Sequence, residues 1–397
     1  MNALVLGCGR SGRAAEVLLR RSGREVTVLD GEDPFPDGGF DVAIVSPGIA
    51  LTHRWVVEAK RRGVPVRSEL QLGCEELKRQ GWKLMAVTGS KGKSSVVKVV
   101  AEAIGLAGRH AVACGNYGVP VCEVAISGEC GWAVVEVSSF MMETTELPAD
   151  TFEAAAILNL QEDHLDRHGS IEIYHGLKRK LLTMAKRGFD LSPYPDDDAC
   201  CRALLDDDAG DFLGGSYFDN EVLAPNGIAA LALMLQGARI DRKSARRAFD
   251  EFVPLPHRMN LVAEIDGVRY VDDSKATSIS ALAAGVRMCE REPSAGPFVR
   301  LIAGGLAKGD DPKTALAALT ERVKKVYLIG RSAEAFSKVW KASVDCEICG
   351  TLERAVEAVR REAAKGETVL LSPGTASFDQ FQSFGERGEV FARLVQK

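Results

Sequence analysis

Residues 86–95 run Ala-Val-Thr-Gly-Ser-Lys-Gly-Lys-Ser-Ser, and this stretch carries the clearest chemistry in the chain. Gly89 and Gly92 lack a Cβ, so the backbone N–H groups around them can close on phosphate oxygens. Lys93 can add a point charge toward the terminal phosphates, and the Ser94 hydroxyl is placed to hold Mg²⁺. The general phosphate loop has one more glycine, where this chain has Val87, so this is a nucleotide site of a particular subtype. An ordinary strand-to-helix turn is the competing reading. Gly-Lys-Ser at the mouth of a helix after an apolar strand argues against it.

A second glycine-rich stretch, Gly7-Cys8-Gly9-Arg10-Ser11-Gly12, follows the first apolar strand, and Asp30 ends the next one. Such a pattern supplies a tight turn, a helix N-terminus facing a diphosphate, and a carboxylate for ribose hydroxyls. It specifies a diphosphate and a sugar, not nicotinamide. A UDP-sugar suits it; a dinucleotide-dependent oxidoreductase and a purely structural turn stay open as alternatives.

Glu136 ends a strand inside Val135-Glu-Val-Ser-Ser-Phe140, and Asn159-Leu-Gln-Glu-Asp163-His164-Leu-Asp166-Arg-His168 follows another. Both fall at the carboxyl edge of a parallel sheet, where the phosphate loop also opens. Glu136 and His164 are therefore candidate metal ligands. Mg²⁺ prefers oxygen, so a histidine there implies a second, less conventional ion position. His164 alone equally fits a capping or core histidine. Lys178 shares a helix with Tyr174, one turn earlier. As a neutral amine it could take up CO₂ and become an anionic oxygen ligand; Lys178-Arg179-Lys180 also fits a solvated basic face.

Farther on come Leu255-Pro-His257-Arg258, Tyr270-Val-Asp-Asp273-Ser-Lys275-Ala-Thr277, Ala303-Gly-Gly-Leu-Ala-Lys308, and Leu371-Ser-Pro-Gly-Thr-Ala-Ser377-Phe378-Asp379 reaching Phe384. Each cluster is expected to follow a strand, so that all line one sheet edge. Arg258 suits bidentate phosphate contact, Asp273 ribose hydroxyls, and Lys308 and Ser377 a carboxylate.

Elements that could position these groups alternate along the chain. Short apolar runs (Ala3–Leu6, Val26–Leu29, Val42–Val45) are separated by helical stretches, which predicts α/β architecture with parallel sheets. Three segments are expected: 1–82, a Rossmann-like sheet; 83–254, a shortened phosphate-loop ATPase-type domain; and 255–397, after Pro254-Leu-Pro256, a second Rossmann-like parallel sheet. With 397 residues, 46% apolar residues and a net charge of −5, the composition is that of a well-packed globular chain without a basic stripe. Nucleic acid is not an expected partner, and no apolar run reaches membrane-span length. The chain enters a strand at once, without a leader, and its ten cysteines are expected as buried free thiols, Cys8, Cys114 and Cys289 among them; a cytoplasmic protein follows. Cys346-Glu-Ile-Cys349 has redox or zinc spacing with no completing pair. The acidic runs Asp196–Asp198 and Asp206–Asp208 are expected in a solvated loop or short hairpin.

Thr88-Gly-Ser-Lys-Gly-Lys-Ser, Glu136-Val-Ser-Ser-Phe, Asn159…Asp163-His-Leu-Asp-Arg, Leu255-Pro-His-Arg, Asp273-Ser-Lys-Ala-Thr and Ser377-Phe-Asp-Gln-Phe occur in the order found in the Mur ligases. The chain resembles that family nearly end to end, and within it the D-glutamate-adding members most. The resemblance implies an ATP-dependent amide ligase of peptidoglycan precursor synthesis, working through an acyl phosphate. Gly89, Ser90, Lys91, Gly92, Lys93, Ser94, Ser95, Asn226, Arg258 and Asp273 would then hold ATP. Ser94 and Glu136 would hold one Mg²⁺, and His164 with a carbamylated Lys178 a second. Ser11, Asp30, Ser46 and Asn116 would contact UDP-N-acetylmuramoyl-L-alanine; Thr277, Lys308, Ser377 and Phe384 would receive D-glutamate. Lys93, His164, Lys178 and Lys308 would carry the chemistry, in a monomer. Departures from the family pattern are Lys91 where Asn is usual, Met141 where Gln is usual, and a region 188–225 much shorter than in most relatives. A sister specificity and a degenerate UDP-sugar-binding protein are the alternatives.

Overall fold

The computed structural model describes residues 2–192, 210–289 and 296–397; the acidic runs at 196–198 and 206–208 lie outside the described residues. Met1–Asp219 with Leu223–Phe252 forms one compact unit, and Asn220–Val222 with Val253–Lys397 forms the other.

The first unit holds two parallel sheets. β1 (Asn2–Leu6), β2 (Glu25–Leu29), β3 (Val42–Val45) and β4 (Val66–Ser68) are ordered β2-β1-β3-β4. All four β3 residues are buried, as a strand covered on both faces requires, so its sequence is a continuous apolar run rather than an alternation. The helix Arg10–Arg21 buries Ala14, Ala15, Leu18 and Leu19 on one stripe and ends on Arg20 and Arg21, which suit the negative end of its dipole. β5 (Lys83–Thr88), β6 (Ala111–Gly115), β7 (Trp132–Glu136), β8 (Ala154–Ile157) and β9 (Gly188–Asp190) make the second sheet, ordered β6-β7-β5-β8-β9. β5, which feeds the phosphate loop, lies at its centre.

The two sheets share one hydrophobic core: Val5, Leu18, Leu19, Leu70 and Leu77 pack in the same cluster as Val121, Cys122, Met141 and Phe152. Polar stitches reinforce it. Ser68 Oγ lies 2.5 Å from Thr145 Oγ1, and the Glu146 N–H donates to Gln71 Oε1 at 3.0 Å.

The second unit is a six-stranded sheet built from β10 (Asn260–Ile265), β11 (Val268–Asp272), β12 (Val299–Gly304), β13 (Val323–Ile329), β14 (Asp345–Gly350) and β15 (Thr368–Leu371), ordered β10-β11-β15-β12-β13-β14. The expectation of a wholly parallel sheet is corrected at one edge, because β10 runs antiparallel to β11. Asp266 and Gly267 both have positive φ (52° and 75°), the geometry of a two-residue hairpin turn. A second correction follows: the 255–258 cluster precedes β10 instead of trailing a strand, since Pro254 and Pro256 keep that stretch out of a ladder. The expectation of buried cysteines is corrected at Cys8 and Cys346, only partly buried, and at exposed Cys130, unlike Cys114 and Cys289; the eight described cysteines are all free thiols, with Cys346 and Cys349 on β14. Among the described residues no helix is long and apolar enough to cross a membrane.

Candidate active site

β5 ends at Thr88 and the chain turns through Gly89 (φ 150°) and Gly92 (φ 86°) into the helix Lys93–Leu106. Neither glycine is replaceable without strain. A Cβ on Gly92 would lie 2.4 Å from the Asn226 amide nitrogen, and one on Gly89 3.1 Å from Leu158 Cβ. Asn159 holds the loop from the next strand end: its Oδ1 accepts from the N–H groups of Ser90 (3.1 Å) and Lys91 (2.9 Å), and its amide donates to the Lys91 carbonyl (3.1 Å). Ser90 Oγ meets the Tyr174 hydroxyl at 3.1 Å, and Ser95 is buried in the first helical turn. Lys93 Nζ donates to the carbonyls of Gly89 (2.9 Å) and Ser90 (3.2 Å), inside the loop that a phosphate would fill.

Lys178 Nζ donates to that same Gly89 carbonyl at 2.9 Å, from the helix Ile171–Lys180. The side chain is almost wholly buried, and burial, with the Lys93 charge beside it, pulls its pKa down to about 7 against the opposing pull of Asp163 and Glu136. Above that pH Lys178 is a neutral amine, the form that carbamylation requires. Glu136, at the end of β7, accepts from Ser94 Oγ (2.7 Å) and from the Asn116 amide (2.6 Å). These hard oxygen donors beside the loop fit Mg²⁺. His164 has φ 52° and caps the short helix Leu165–His168; its Nδ1 lies 3.7 Å from Asp163 Oδ1, while Asp163 Oδ2 is 3.8 Å from Lys91 Nζ. Among the described residues no three His, Cys, Asp or Glu side chains gather around a common point. The Ser94 hydroxyl and Glu136 are the pair that the structure brings into contact.

At the first sheet, Gly7 (φ 92°) and Gly12 form a close turn: a Cβ on Gly12 would overlap the Gly7 carbonyl oxygen. Ser46 Oγ donates to that carbonyl at 3.1 Å. Asp30 accepts from the Cys8 N–H at 3.4 Å, and contact with Cys8 lowers its pKa, leaving an exposed carboxylate at the loop. Ser11 lies in the first turn of the helix that follows.

In the second unit, the hydrogen bonds Leu306 N–H to Ala376 O (2.9 Å) and Ala376 N–H to Leu306 O (3.0 Å) join the loop of exposed Lys308 to that of buried Ser377. Ser274 Oγ donates to the Phe384 carbonyl (2.8 Å), and Lys275 Nζ sits 3.8 Å above the Phe384 ring, bringing the Thr277 loop to the same place. Asp273 differs from expectation. Rather than an open ribose-facing carboxylate, it is turned inward, accepting from Ser372 Oγ (2.8 Å) over Gly285. Burial pushes its pKa up to about 7, against the Ser372 hydrogen bond and the Arg258 charge.

Residues 87–209 match the Mur ligase middle domain, and residues 257–374 match the Mur ligase, glutamate ligase domain. The chain belongs to the Mur ligase family. The UDP-N-acetylmuramoylalanine--D-glutamate ligase of Chlamydia caviae is 32% identical, across 99% of this chain and 97% of its own. That of Acidobacterium capsulatum is 33% identical, across 99% and 95%. Among solved structures, UDP-N-acetylmuramate-alanine ligase MurC of Thermotoga maritima aligns with a TM-score of 0.61 at 14% identity, covering 100% of this chain and 99% of its own. Escherichia coli FolC in complex with ADP gives 0.57 at 15%, covering 82% and 94%. At such identities these two show the fold.

The contacts of three site-building residues of this Mur ligase escape the sequence reading. Arg387, 1% exposed, donates to Ser274 Oγ (2.9 Å) and to the carbonyls of Ser274 (3.0 Å) and Thr375 (3.1 Å), clamping two of the C-terminal loops together. Burial lowers its pKa to about 10. Glu143 and Arg167 pair at 2.6 Å beside His164. Arg387 looks from sequence like a solvated helix charge and Glu143 like a turn charge, with no spacing to mark them; Arg167 ends the Asp163-His-Leu-Asp-Arg motif, which by itself gives it no partner.

Proposed function

We infer that this Mur ligase joins D-glutamate to UDP-N-acetylmuramoyl-L-alanine at the expense of ATP, in peptidoglycan precursor synthesis. Full-length similarity to ligases of that name carries the reading; the phosphate loop with Ser94, Glu136 and Lys178 around it supports it. Residues 1–82 receive the UDP-sugar through Ser11, Asp30 and Ser46, helped by Asn116. Residues 83–254 hold ATP on Gly89–Ser95, with Asn226 against Gly92. Among residues 255–397, Arg258 is assigned to the nucleotide and Thr277, Lys308, Ser377 and Phe384 to D-glutamate.

An alanyl carboxylate oxygen attacks the γ-phosphorus and ADP leaves, forming an acyl phosphate. The D-glutamate amine then attacks the acyl carbon, phosphate leaves with the bonding pair, and the amine gives up a proton. Lys93 neutralises charge on the transferred phosphoryl oxygens. Ser94 and Glu136 would hold Mg²⁺, and His164 with a carbamylated Lys178 a second ion; such ions would supply Lewis-acid stabilisation of the same charge. The protein acts as a cytoplasmic monomer.

The test is release of ADP and phosphate with UDP-N-acetylmuramoyl-L-alanine, Mg²⁺, ATP and a panel of D- and L-amino acids. Release that requires D-glutamate, with an equal amount of UDP-dipeptide, is expected. Release with another amino acid moves the chain to a sister specificity, and none from folded protein refutes the reading.

A further inference from the structure

Glu143, Arg167, His168 and Ser139 form a buried polar chain that no step of the proposed reaction uses. Arg167 and Glu143 meet side-on, Nε to Oε1 at 3.1 Å and Nη2 to Oε2 at 2.6 Å, with side chains only 13% and 8% exposed. His168 continues the chain: Nδ1 is 3.3 Å from Glu143 Oε1, and Nε2 is 3.0 Å from Ser139 Oγ. Burial lowers the His168 pKa, the nearby cations assist and Glu143 opposes. A neutral ring with its proton on Nδ1 gives every member of the chain a partner.

The arginine end of this chain reaches a candidate site on each of its two sides. Arg167 Nη2 also donates to the Ile49 carbonyl at 2.9 Å, across to the first sheet. Ile49 closes the turn that begins at Ser46, with its N–H on the Ser46 carbonyl at 3.0 Å. Ser46 in turn donates to the Gly7 carbonyl, and a Cβ on Gly7 would lie 3.4 Å from Ile49 Cδ1. On its other side the Arg167 guanidinium lies over the Phe140 ring at 4.4 Å, and that ring is 4.9 Å from the ring of His164.

A buried ion pair adds little net stability over an apolar pair of the same volume, because desolvation offsets the attraction. What it does provide is geometry. A planar guanidinium can make two bonds to one carboxylate and a third to a carbonyl while stacked on an aromatic ring, and an ammonium cannot.

We propose that Arg167, oriented by Glu143, is a positioning residue that fixes the Ser46–Ile49 turn, and through it the Gly7–Gly12 loop, relative to His164. The arrangement would hold the UDP-sugar in register with the phosphoryl-transfer centre, and this part rests on the function proposed above.

The test uses full-length R167K and E143Q. Two readouts are taken: hydrogen exchange across residues 46–51 without substrate, and KM for the UDP-sugar and for ATP. Faster exchange at 46–51 is expected, with exchange in the helix Lys93–Leu106 unchanged. The KM for the UDP-sugar should rise about tenfold and that for ATP less than about twofold, the scale of a displaced binding group. Wild-type exchange at 46–51 in both variants overturns the proposal. So do equal rises in both KM values with a lowered melting temperature, the signature of a merely structural pair. Should wild-type protein turn over no UDP-N-acetylmuramoyl-L-alanine, the proposed function fails, and the exchange readout alone decides the strut.

Discussion

Replacing Glu69 by glutamine should flatten the pH dependence of stability of the first unit. Glu69 opens the helix Glu69–Arg79 and is 1% exposed. Its Oε1 accepts from the Cys122 N–H at 2.7 Å, whereas Oε2 is buried with no partner. Burial raises its pKa from 4.5 to about 7, against the Cys122 hydrogen bonds. A carboxyl with a raised folded-state pKa binds more protons folded than unfolded between those two values. Its stabilising contribution is complete below pH 4.5 and is lost as pH rises through about 7. Integrated from about pH 5 to about pH 8, the loss is about 2.5 kcal/mol, a sizeable fraction of a typical domain's stability. Urea unfolding of W340F and W340F/E69Q across that range measures it. The chain has four tryptophans, and with Trp340 removed Trp55, Trp82 and Trp132 all report the first unit. The variant's advantage should grow from about pH 5 to about pH 7 and level off above that. Parallel curves, within about 0.5 kcal/mol, would refute the reasoning and mean that water reaches the carboxylate.

Lys93→Ala should lower kcat by about a thousandfold or more with an unchanged melting temperature, the scale of removing a charge-stabilising group from a transition state; unchanged turnover takes the phosphate loop out of the mechanism. Lys178→Met should cost about a hundredfold or more in kcat while Lys180→Met costs less than about twofold, since Lys180 is a surface partner of Glu146; equal effects count against the carbamate. Glu367→Gln should destabilise the second unit by about 3 kcal/mol, read by Trp340 fluorescence, because it strips the buried Arg300 of one of its two carboxylates. A loss under about 1 kcal/mol would show that Glu362 and Tyr327 suffice.

The legible parts of this protein are those where local chemistry and local geometry coincide. Gly89, Gly92, Lys93 and Ser94 are close in sequence and act together, so their spacing alone locates the loop. Glu136 was placeable because a parallel strand delivers its last residue to the ligand edge. The hairpin of β10 and β11 had a signal too, Asp266-Gly267 between apolar runs, which the expectation of a parallel sheet overrode. Arg387 and Glu69 had none, and Arg167, though it ends the Asp163-His-Leu-Asp-Arg motif, had none for its burial. Each is a charged residue on a helix whose burial is decided by elements distant in sequence, such as the Ile49 turn for Arg167. Asp273 failed for the same reason: its register was readable, but Ser372 and Gly285, which turn it inward, come from elsewhere.

The core common to the first two sheets also orders events on the ribosome. The helices Arg10–Arg21 and Glu69–Arg79 pack against Val121–Ile126, a helix synthesised only after the phosphate loop. A nascent chain ending near residue 82 would carry all four strands of its first sheet while leaving Leu18, Leu19, Leu70 and Leu77 without the Val121, Val124 and Ala125 cover. Synthesis must therefore proceed by some forty further residues before the sheet can close its face, and during that interval the emerging chain is a client for any chaperone that binds exposed leucine.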